Sequence, residues 1–577
     1  MKRILLALAL ALGLPSAAFA QCNGVFPSAT VCGNPAGPAN IPHALPLSSF
    51  ALAPGGSSGQ IQTNNGAGGL GAMPAMNGDA TLNTTTGALT LNTVPPAKGG
   101  TGANNSTNAA GDVLASNGTN GNFVHTALVS LLNTACTAAP SLCTTVLGYT
   151  NVAWYGTANN AVVLSTGTAS ITSGTKNLTV TAAAFTSADV GKSMWIPHAG
   201  PAGAGYSTTI TTFTDAIHVV VNDNASTTIT AQALGQAAAD MMVYGTDDTA
   251  AINAAFAGTP AFGTLYLAPT PFAFPVRGYL IKQSGATGRS LLLTNPINIT
   301  GGGNGSMLVT DPSMGSTILN IHVLVSGVTW KGITWQGFGL GTDTNFTNFP
   351  RFGTNGIWFD ATSAGPGGFT GVTWQNLSLG ESPSGSYSFL LDGVGTQGNR
   401  IDNNFIVGGV SLSATADSNQ ITRNRLLGVS NFGIRVDTPT AGGFEFSGNS
   451  TTLAAGFCIL NGSSITLSKN FFEEQTASGT YAHNAQMDIG CSSGQAMSAV
   501  SVYGNIITAG LSNANNIKVD ANVGFTWIYA NETATRVAAN ASITNANATT
   551  YCGPNQIITA SPHLTGTAPV LWGVAAC

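Results

Sequence analysis

Residues 244–256 read Tyr244-Gly245-Thr246-Asp247-Asp248-Thr249-Ala250-Ala251-Ile252-Asn253-Ala254-Ala255-Phe256, and this stretch decides the fold. Thr246, Asp247 or Asp248 can cap a helix N-terminus, and the alanine-rich run behind them has high helix propensity. Ile252, Ala255 and Phe256 fall on one face of that helix. Everything around it is short apolar alternation with frequent Gly/Asn turns, the pattern of β-strands. A lone short amphipathic helix leading a β-rich region suits the cap of a solenoid, whose open end otherwise exposes apolar surface.

Downstream the chain repeats. Asn404, Asn424, Asn449, Asn470, Asn505 and Asn531 each follow an apolar residue by three: Ile401, Ile421, Phe446, Leu467, Val502 and Ile528. The spacings are 20, 25, 21, 35 and 26, and four of the five fit one solenoid coil per repeat. The longest contains an insertion around Ser478 to Asn484. Asparagines stacked at a turn can hydrogen-bond up and down the stack, and Asn tolerates the left-handed backbone of such turns. They read as a structural ladder without a catalytic role. The helix phrase closely resembles the opening of the pectate-lyase-superfamily right-handed parallel β-helix, shared by polysaccharide-active enzymes and phage tailspikes. That resemblance implies an all-β chain with a right-handed single-stranded parallel β-helix over residues 244–550, and 551–577 closing its C-terminal end.

Upstream, residues 148–243 alternate with period 2, as at Leu178, Val180, Ile217, Val219 and Val221, between Gly/Asn turns. Short antiparallel strands in a small sandwich or barrel are expected there. Asp189-Val190-Gly191-Lys192 followed by Ser193-Met194-Trp195-Ile196 resembles a segment found ahead of the main domain in tailspike-type proteins. Residues 21–147 are rich in Gly, Asn, Thr and Ala and bury too little apolar area to offset the entropy of ordering by themselves. Phrases such as Lys98-Gly99-Gly100-Thr101-Gly102 resemble the stalks of phage tail fibres, so a fibre-like arm is expected. The tailspike resemblance also implies a homotrimer.

The first residues read as an address. Met1-Lys2-Arg3 is basic, Ile4 to Leu14 is apolar, and Ala18-Phe19-Ala20 fits a cleavage site, so residues 1–20 are a predicted signal peptide and the protein is expected outside the cell or at its surface. That apolar run is too short to cross a bilayer, which needs about 20 residues, and no later run of membrane length occurs. Eight cysteines fit an oxidising compartment and fall in local couples: Cys22/Cys32, Cys136/Cys143, Cys458/Cys491 and Cys552/Cys577. Nearest-neighbour pairing is one of many possible connectivities. No C-x-x-C is present and no two histidines lie close together, so no metal site is expected.

Only 7% of side chains are charged against roughly 25% in an average domain, and 17 Lys+Arg are too few for a phosphate-tracking nucleic-acid surface. The G-x-S-x-G at Gly55 to Gly59 and the G-x-G-x-x-G at Gly66 to Gly71 lie in the low-complexity arm, without the strand-turn-helix setting those motifs require.

Against so low a charge density, one recurring strand is informative. Its copies are Ile357-Trp358-Phe359-Asp360, Phe389-Leu390-Leu391-Asp392, Ile434-Arg435-Val436-Asp437 and Ile517-Lys518-Val519-Asp520, with Gln486-Met487-Asp488-Ile489 related. With the aliphatic residues inward, Trp358, Asp360, Asp392, Arg435, Asp437, Asp488, Lys518 and Asp520 point outward on one face. Glycoside hydrolysis needs two carboxyls, one donating a proton and one ionised. Coils lie ~4.8 Å apart, so equivalent carboxyls one coil apart suit the retaining geometry and two coils apart the inverting one. Asp360, Asp392 and Asp437 are the candidate catalytic acids, and Trp358 offers a flat face to a sugar ring. An Asp at a strand end also closes turns through its own side chain, and Arg435 and Lys518 also neutralise neighbouring Asp residues. Asn470-Phe471-Phe472-Glu473-Glu474 resembles a phrase common in β-helix proteins, placing Glu473 and Glu474 at a groove or a solvated turn. His322 and His483 read as structural or solvent-facing.

The Asn-Thr-Asp, paired Asp-Asp, His-Gly and Arg-Ile-Lys signatures of polygalacturonase-type members do not transfer: the only Asp-Asp is Asp247-Asp248 in the cap, and no His precedes a Gly. The expected function is a secreted polysaccharide-active enzyme, a glycoside hydrolase working without a cofactor. A lyase is its variant, with Arg435 or Lys518 as base and Ca2+ beside a uronate. The alternative is a non-catalytic glycan-binding adhesin or tail-fibre-like structural protein.

Overall fold

The computed structural model describes residues 123–559 apart from loop segments, the longest being 342–354, 474–484 and 536–542, together with seven short strands between Thr30 and Ser116. The chain divides into two units, Met1–Leu131 and Leu132–Cys577. The first contains four antiparallel hairpins, such as Gln62–Asn64 with Leu70–Ala72 and Asp112–Ser116 with Phe123–Ala127.

The second unit is a right-handed parallel β-helix fronted by an antiparallel sheet. Each full coil supplies one strand to each of three parallel sheets. In one coil these are Arg400–Asp402, Phe405–Val407 and Val410–Ser413, and they pair in parallel with Gln420–Thr422, Arg425–Leu427 and Ile434–Asp437 of the next. In all three the core-facing apolar residues stack in register from coil to coil. Ile401, Ile406, Val410 and Leu412 of this coil are buried and stack on Ile421, Leu426, Ile434 and Val436. Parallel sheets are stable only with their inner faces covered, and here the three cover one another around a single apolar core.

The asparagine ladder is present and extends one rung further than the sequence pattern reached. Asn404, Asn424, Asn449, Asn470, Asn505, Asn531 and Asn555 stack at the turn between the first two sheets. Each Nδ2 donates to the next Oδ1 at 2.8–3.0 Å, and the same oxygen accepts the backbone N–H of the preceding rung at 3.0–3.1 Å. The ladder starts at Asn404 because the coil before it carries Leu377, whose N–H donates to Asn404 Oδ1. One detail differs from expectation. The left-handed residue is not the ladder Asn but the one before it: Asn403, Arg423, Gly448, Lys469, Gly504 and Ala530 all have φ of 53–65°. The ladder side chain must point inward to stack, so the chain reverses at the exposed residue ahead of it.

The helix Thr249–Gly258 forms as read, with Ile252, Ala255 and Phe256 buried against Val152, Leu265 and Leu291 at the head of the core. Its two aspartates divide the work. Asp247 Oδ1 accepts the Thr249 N–H, whereas Asp248 turns away and accepts the N–H groups of Ala158 and Asn159 at 2.6 and 3.0 Å. Asp248 is buried, and desolvation pushes its carboxyl up to about 6 despite those bonds.

Ahead of the helix, antiparallel strands from Ala161–Leu164 to Met242–Gly245 curve around their own core of Leu178, Ile196, Val219 and others, and Ala161–Leu164 joins the solenoid by pairing with Val276–Ile281. The Asp189 to Ile196 segment is a tight turn at Gly191, φ 90°, leading into a strand. Burial alone raises the Asp189 carboxyl, but bonds from Lys192 and Thr186 win and hold it below its usual value. The last part of the expected arm, by contrast, is helical: Leu128–Ala138 and Pro140–Leu147 are joined by the Cys136–Cys143 disulfide, which packs on Trp154. Its two cysteines, with Leu147 packed beside them, give it a buried apolar contact that the glycine-rich stretch lacks. Cys458–Cys491 is the second expected couple to form. Cys22 and Cys577, the partners expected for Cys32 and Cys552, lie outside the described residues. Among the described residues no helix is long and apolar enough to cross a membrane.

Candidate functional site: a polar row on the ten-stranded sheet

All copies of the recurring strand belong to one sheet of ten parallel strands running from Arg289–Leu293 to Ile543–Asn545. Two outward rows cross it in register. One is Leu292, His322, Trp358, Leu390, Ser411, Arg435, Cys458, Asp488, Lys518. The other is Leu324, Asp360, Asp392, Ser413, Asp437. Asp360 and Asp392 are therefore one coil apart, as expected. Asp437 stands two coils beyond Asp392, because the intervening coil Val410–Ser413 has Ser413 in the Asp position.

The connections around this sheet are the variable ones. The turn carrying the ladder is two residues long from Asn404 to Asn531 and three at 553–555, whereas the connection entering the ten-stranded sheet runs from two residues at 408–409 to fifteen at 342–356. Variation concentrated at one face of a rigid scaffold is where binding loops belong.

The outward rows are not uniformly exposed. Asp360 is 1% exposed and Asp488 is fully buried, so for these two the expectation of solvent-facing carboxyls fails. Period 2 sets the side of the sheet, not what covers it. Asp360 Oδ2 accepts from His322 Nε2 at 3.1 Å, and Arg289 Nη1 donates to His322 Nδ1 at 2.9 Å. Because Arg only donates, Nδ1 must be the acceptor, which leaves the proton on Nε2 facing Asp360. Burial, reinforced by the Arg289 charge, outweighs the Asp360 contact and holds the His322 pKa below its ordinary value, in keeping with a neutral ring. The ring stacks on Trp358 at 4.7 Å with an 11° interplanar angle, so one face of the indole is already occupied. The Trp358 Nε1 proton is buried without an acceptor among the described residues. Beneath them Phe359 is the hub of an aromatic core, with Trp374, Trp335 and Phe369 rings at 4.7–5.0 Å, which fixes the strand carrying Trp358 and Asp360.

Asp392 and Asp437 are half-buried and reach the surface. Asp437 accepts from Asn461 Nδ2 at 2.7 Å and from Arg435 Nη2 at 3.4 Å. Desolvation works against the Arg435 charge, but Tyr387 and Asp437 outweigh it and hold its pKa above the ordinary value. Further along, Lys518 Nζ bridges Asp520 at 2.8 Å and Asp488 at 3.3 Å; desolvation lowers its pKa, and these two carboxylates more than restore it. Cys491 N–H also donates to Asp488, tying this cluster to the disulfide. Glu473 ends the strand Phe471–Glu473 of a different sheet, pairing with Thr452, so its backbone does not lie on this row. Glu474 and His483 lie outside the described residues.

Sequence reading missed His322, Arg289, Tyr387 and Asn461. The signal for His322 is weak: its strand Leu319–Leu324 ends in Leu324 where the others carry Asp, so the repeat phrase is broken. Among the described residues no group of His, Cys, Asp and Glu is arranged to hold a metal ion.

No family model matches the chain, and no curated protein does. Among solved structures, the tailspike protein of the E. coli bacteriophage HK620 in complex with a pentasaccharide is 14% identical, covering 55% of this chain and 64% of that one at a TM-score of 0.37. A glutamate mutant of it in complex with a hexasaccharide is 13% identical over 56% and 64%, at a TM-score of 0.36. The chain thus spans just under two thirds of the tailspike chains it matches.

Proposed function

We propose that the chain binds an extracellular polysaccharide along the ten-stranded sheet and hydrolyses its glycosidic bonds, with Asp392 and Asp437 as the reacting pair. The observation that carries this reading is the placement of two surface-reaching carboxyls two coils apart on the face flanked by the variable loops. Two coils correspond to ~9.6 Å, near the upper end of the separation that leaves room for a water in inverting hydrolysis. Asp437, oriented by Asn461 and Arg435, is the base that draws a proton from that water, and Asp392 donates to the leaving oxygen. Asp360, buried and engaged by His322, positions the strand next to Asp392 and does not itself meet the sugar.

The lyase variant loses its support. A proton-abstracting base needs a lowered pKa, and both Arg435 and Lys518 have theirs raised by carboxylate partners. The non-catalytic reading retains one observation in its favour: Lys518 is paired twice and Asp488 is buried, so much of the charge on the row neutralises itself. The basic-apolar start of the chain supports export, and the arm and the tailspike resemblance support a homotrimer.

The test is incubation of the purified chain with a panel of neutral and acidic polysaccharides, followed by size exclusion. Asp392→Asn and Asp437→Asn should each slow shortening by roughly a hundredfold or more, the range for loss of a general acid or base. Shortening that survives both substitutions removes the site. A polymer that co-elutes intact with the protein makes it a binding module.

A further inference from the structure

The outer row of the candidate site does not stop at the first coil. Leu292, in register with His322 and Trp358, also forms one wall of a cleft of 340 Å³ between the capping helix and the strand Arg289–Leu293. The helix contributes Phe256 and Ala257; Ser284, Arg289 and Thr294 complete the lining. The volume is within the range of small-ligand sites, and apolar walls with a few hydroxyls and one cation are the usual make-up of such a site. Asn253, also in the lining, braces the cleft: its Nδ2 donates to Ser290 O and its Oδ1 accepts from Leu292 N–H. The helix and the first strand are thereby held at a fixed separation. Arg289 faces the cleft and, through His322, is continuous with Trp358 and Asp360.

We infer that this cleft is a terminal subsite for the same polysaccharide, and that it takes a carboxylate-bearing sugar residue, whose acid group pairs with Arg289. The inference rests on the polysaccharide reading above and adds to it the class of substrate, an acidic glycan. The strand of Arg289 lies three coils from that of Asp392, ~14 Å along the axis, so chain bound in the cleft extends across Trp358 towards the reacting pair. The planar guanidinium suits a carboxylate, and hydroxyls such as Thr294 suit the sugar's own.

The experiment is saturation-transfer NMR on the full chain with D-glucuronate, D-glucose and acetate as separate probes at one ionic strength. Glucuronate should receive transfer while glucose and acetate receive little. Arg289→Gln should weaken glucuronate roughly tenfold or more, the expectation for loss of a charge-assisted hydrogen bond. Because Arg289 also contacts His322, a second variant fills the cleft from the exposed side of the helix: Ala257→Trp leaves the Arg289–His322 contact in place and should abolish the glucuronate signal. Equal transfer to glucose, equal transfer to acetate, or glucuronate binding that survives Ala257→Trp overturns the subsite. Polymer shortening scored alongside separates the two failures. A protein that cleaves polysaccharide but treats glucuronate and glucose alike refutes the subsite alone, whereas one that neither binds nor shortens any polymer refutes the reading beneath it.

Discussion

Replacing Asn449 by Ala should cost about 4 kcal/mol, which makes it the sharpest test of what holds the coils in register. Asn449 is 1% exposed and makes four side-chain hydrogen bonds. Its Oδ1 accepts from the N–H and the Nδ2 of Asn424, both at 3.0 Å, and its Nδ2 donates to Asn470 Oδ1 at 2.9 Å and to Ile421 O at 2.8 Å. At about 1 kcal/mol net per bond the sum is about 4 kcal/mol, and the Asn424 N–H, buried and deprived of its acceptor, keeps the loss from falling below that. Asn403, in the corresponding turn two coils away, is the control. It is exposed, has one side-chain bond, to Asn376 Oδ1 at 2.7 Å, and a left-handed φ of 53°. Its replacement by Ala should cost only about 1–2 kcal/mol, for that bond and the backbone strain. Urea unfolding followed by tryptophan fluorescence reads both, because Trp335 and Trp374 sit in the solenoid core. If Asn449→Ala loses less than about 1 kcal/mol, the ladder is a consequence of coil stacking rather than a cause, and the backbone sheets and apolar core suffice.

Two further outcomes follow from buried groups. Asp248 has its carboxyl raised by desolvation from 3.8 to about 6, so the folded state holds its proton more tightly than the unfolded chain does. Its contribution is complete below about pH 4 and lost as pH rises through about 6, worth up to about 3 kcal/mol. Asp248→Asn should therefore gain on the parent in thermal stability between pH 4 and 7; parallel curves for the two proteins would contradict this. Removing the Cys458–Cys491 disulfide, which closes a 33-residue separation, should cost about 3.5 kcal/mol by chain entropy, measured as a lowered urea midpoint of the Cys458→Ala/Cys491→Ala double variant. An unchanged midpoint would mean that the Asp488, Lys518 and Asp520 cluster alone secures that coil.

How far the molecule could be read beforehand depends on which residues repeat. The ladder was legible because a buried amide in a turn admits few substitutes, and its one unread rung, Asn555, follows Cys552 where the others follow an aliphatic or aromatic residue. The early coils were not legible by that route, since Leu377 stands in the ladder position and Trp335 and Trp374 fill the core in place of smaller aliphatics. The ten-stranded sheet was found through its terminal Asp residues, so the coil with Ser413 escaped and Asp437 could not be placed. His322 was out of reach: its bond to Asp360 joins residues 38 apart in sequence, and nothing in either strand alone announces it. Nor does alternation tell a surface carboxyl from one that is sealed, which is why Asp360 and Asp392 read alike and differ in the fold.

The stacked amides also make the length of the solenoid a discrete quantity. Within the column each amide bonds the rungs on either side, so residues added at the two-residue turn would break it, whereas a whole extra coil carrying its own Asn would continue it. Growth by copying complete coils is then the path of least disturbance. Each copy adds one position to every outer row and ~4.8 Å to the face that carries Asp392 and Asp437, leaving their own separation untouched as long as it is inserted outside them. The surface offered to a long polymer can thus be lengthened or shortened like a ruler with fixed graduations, while the chemistry at one mark stays where it is.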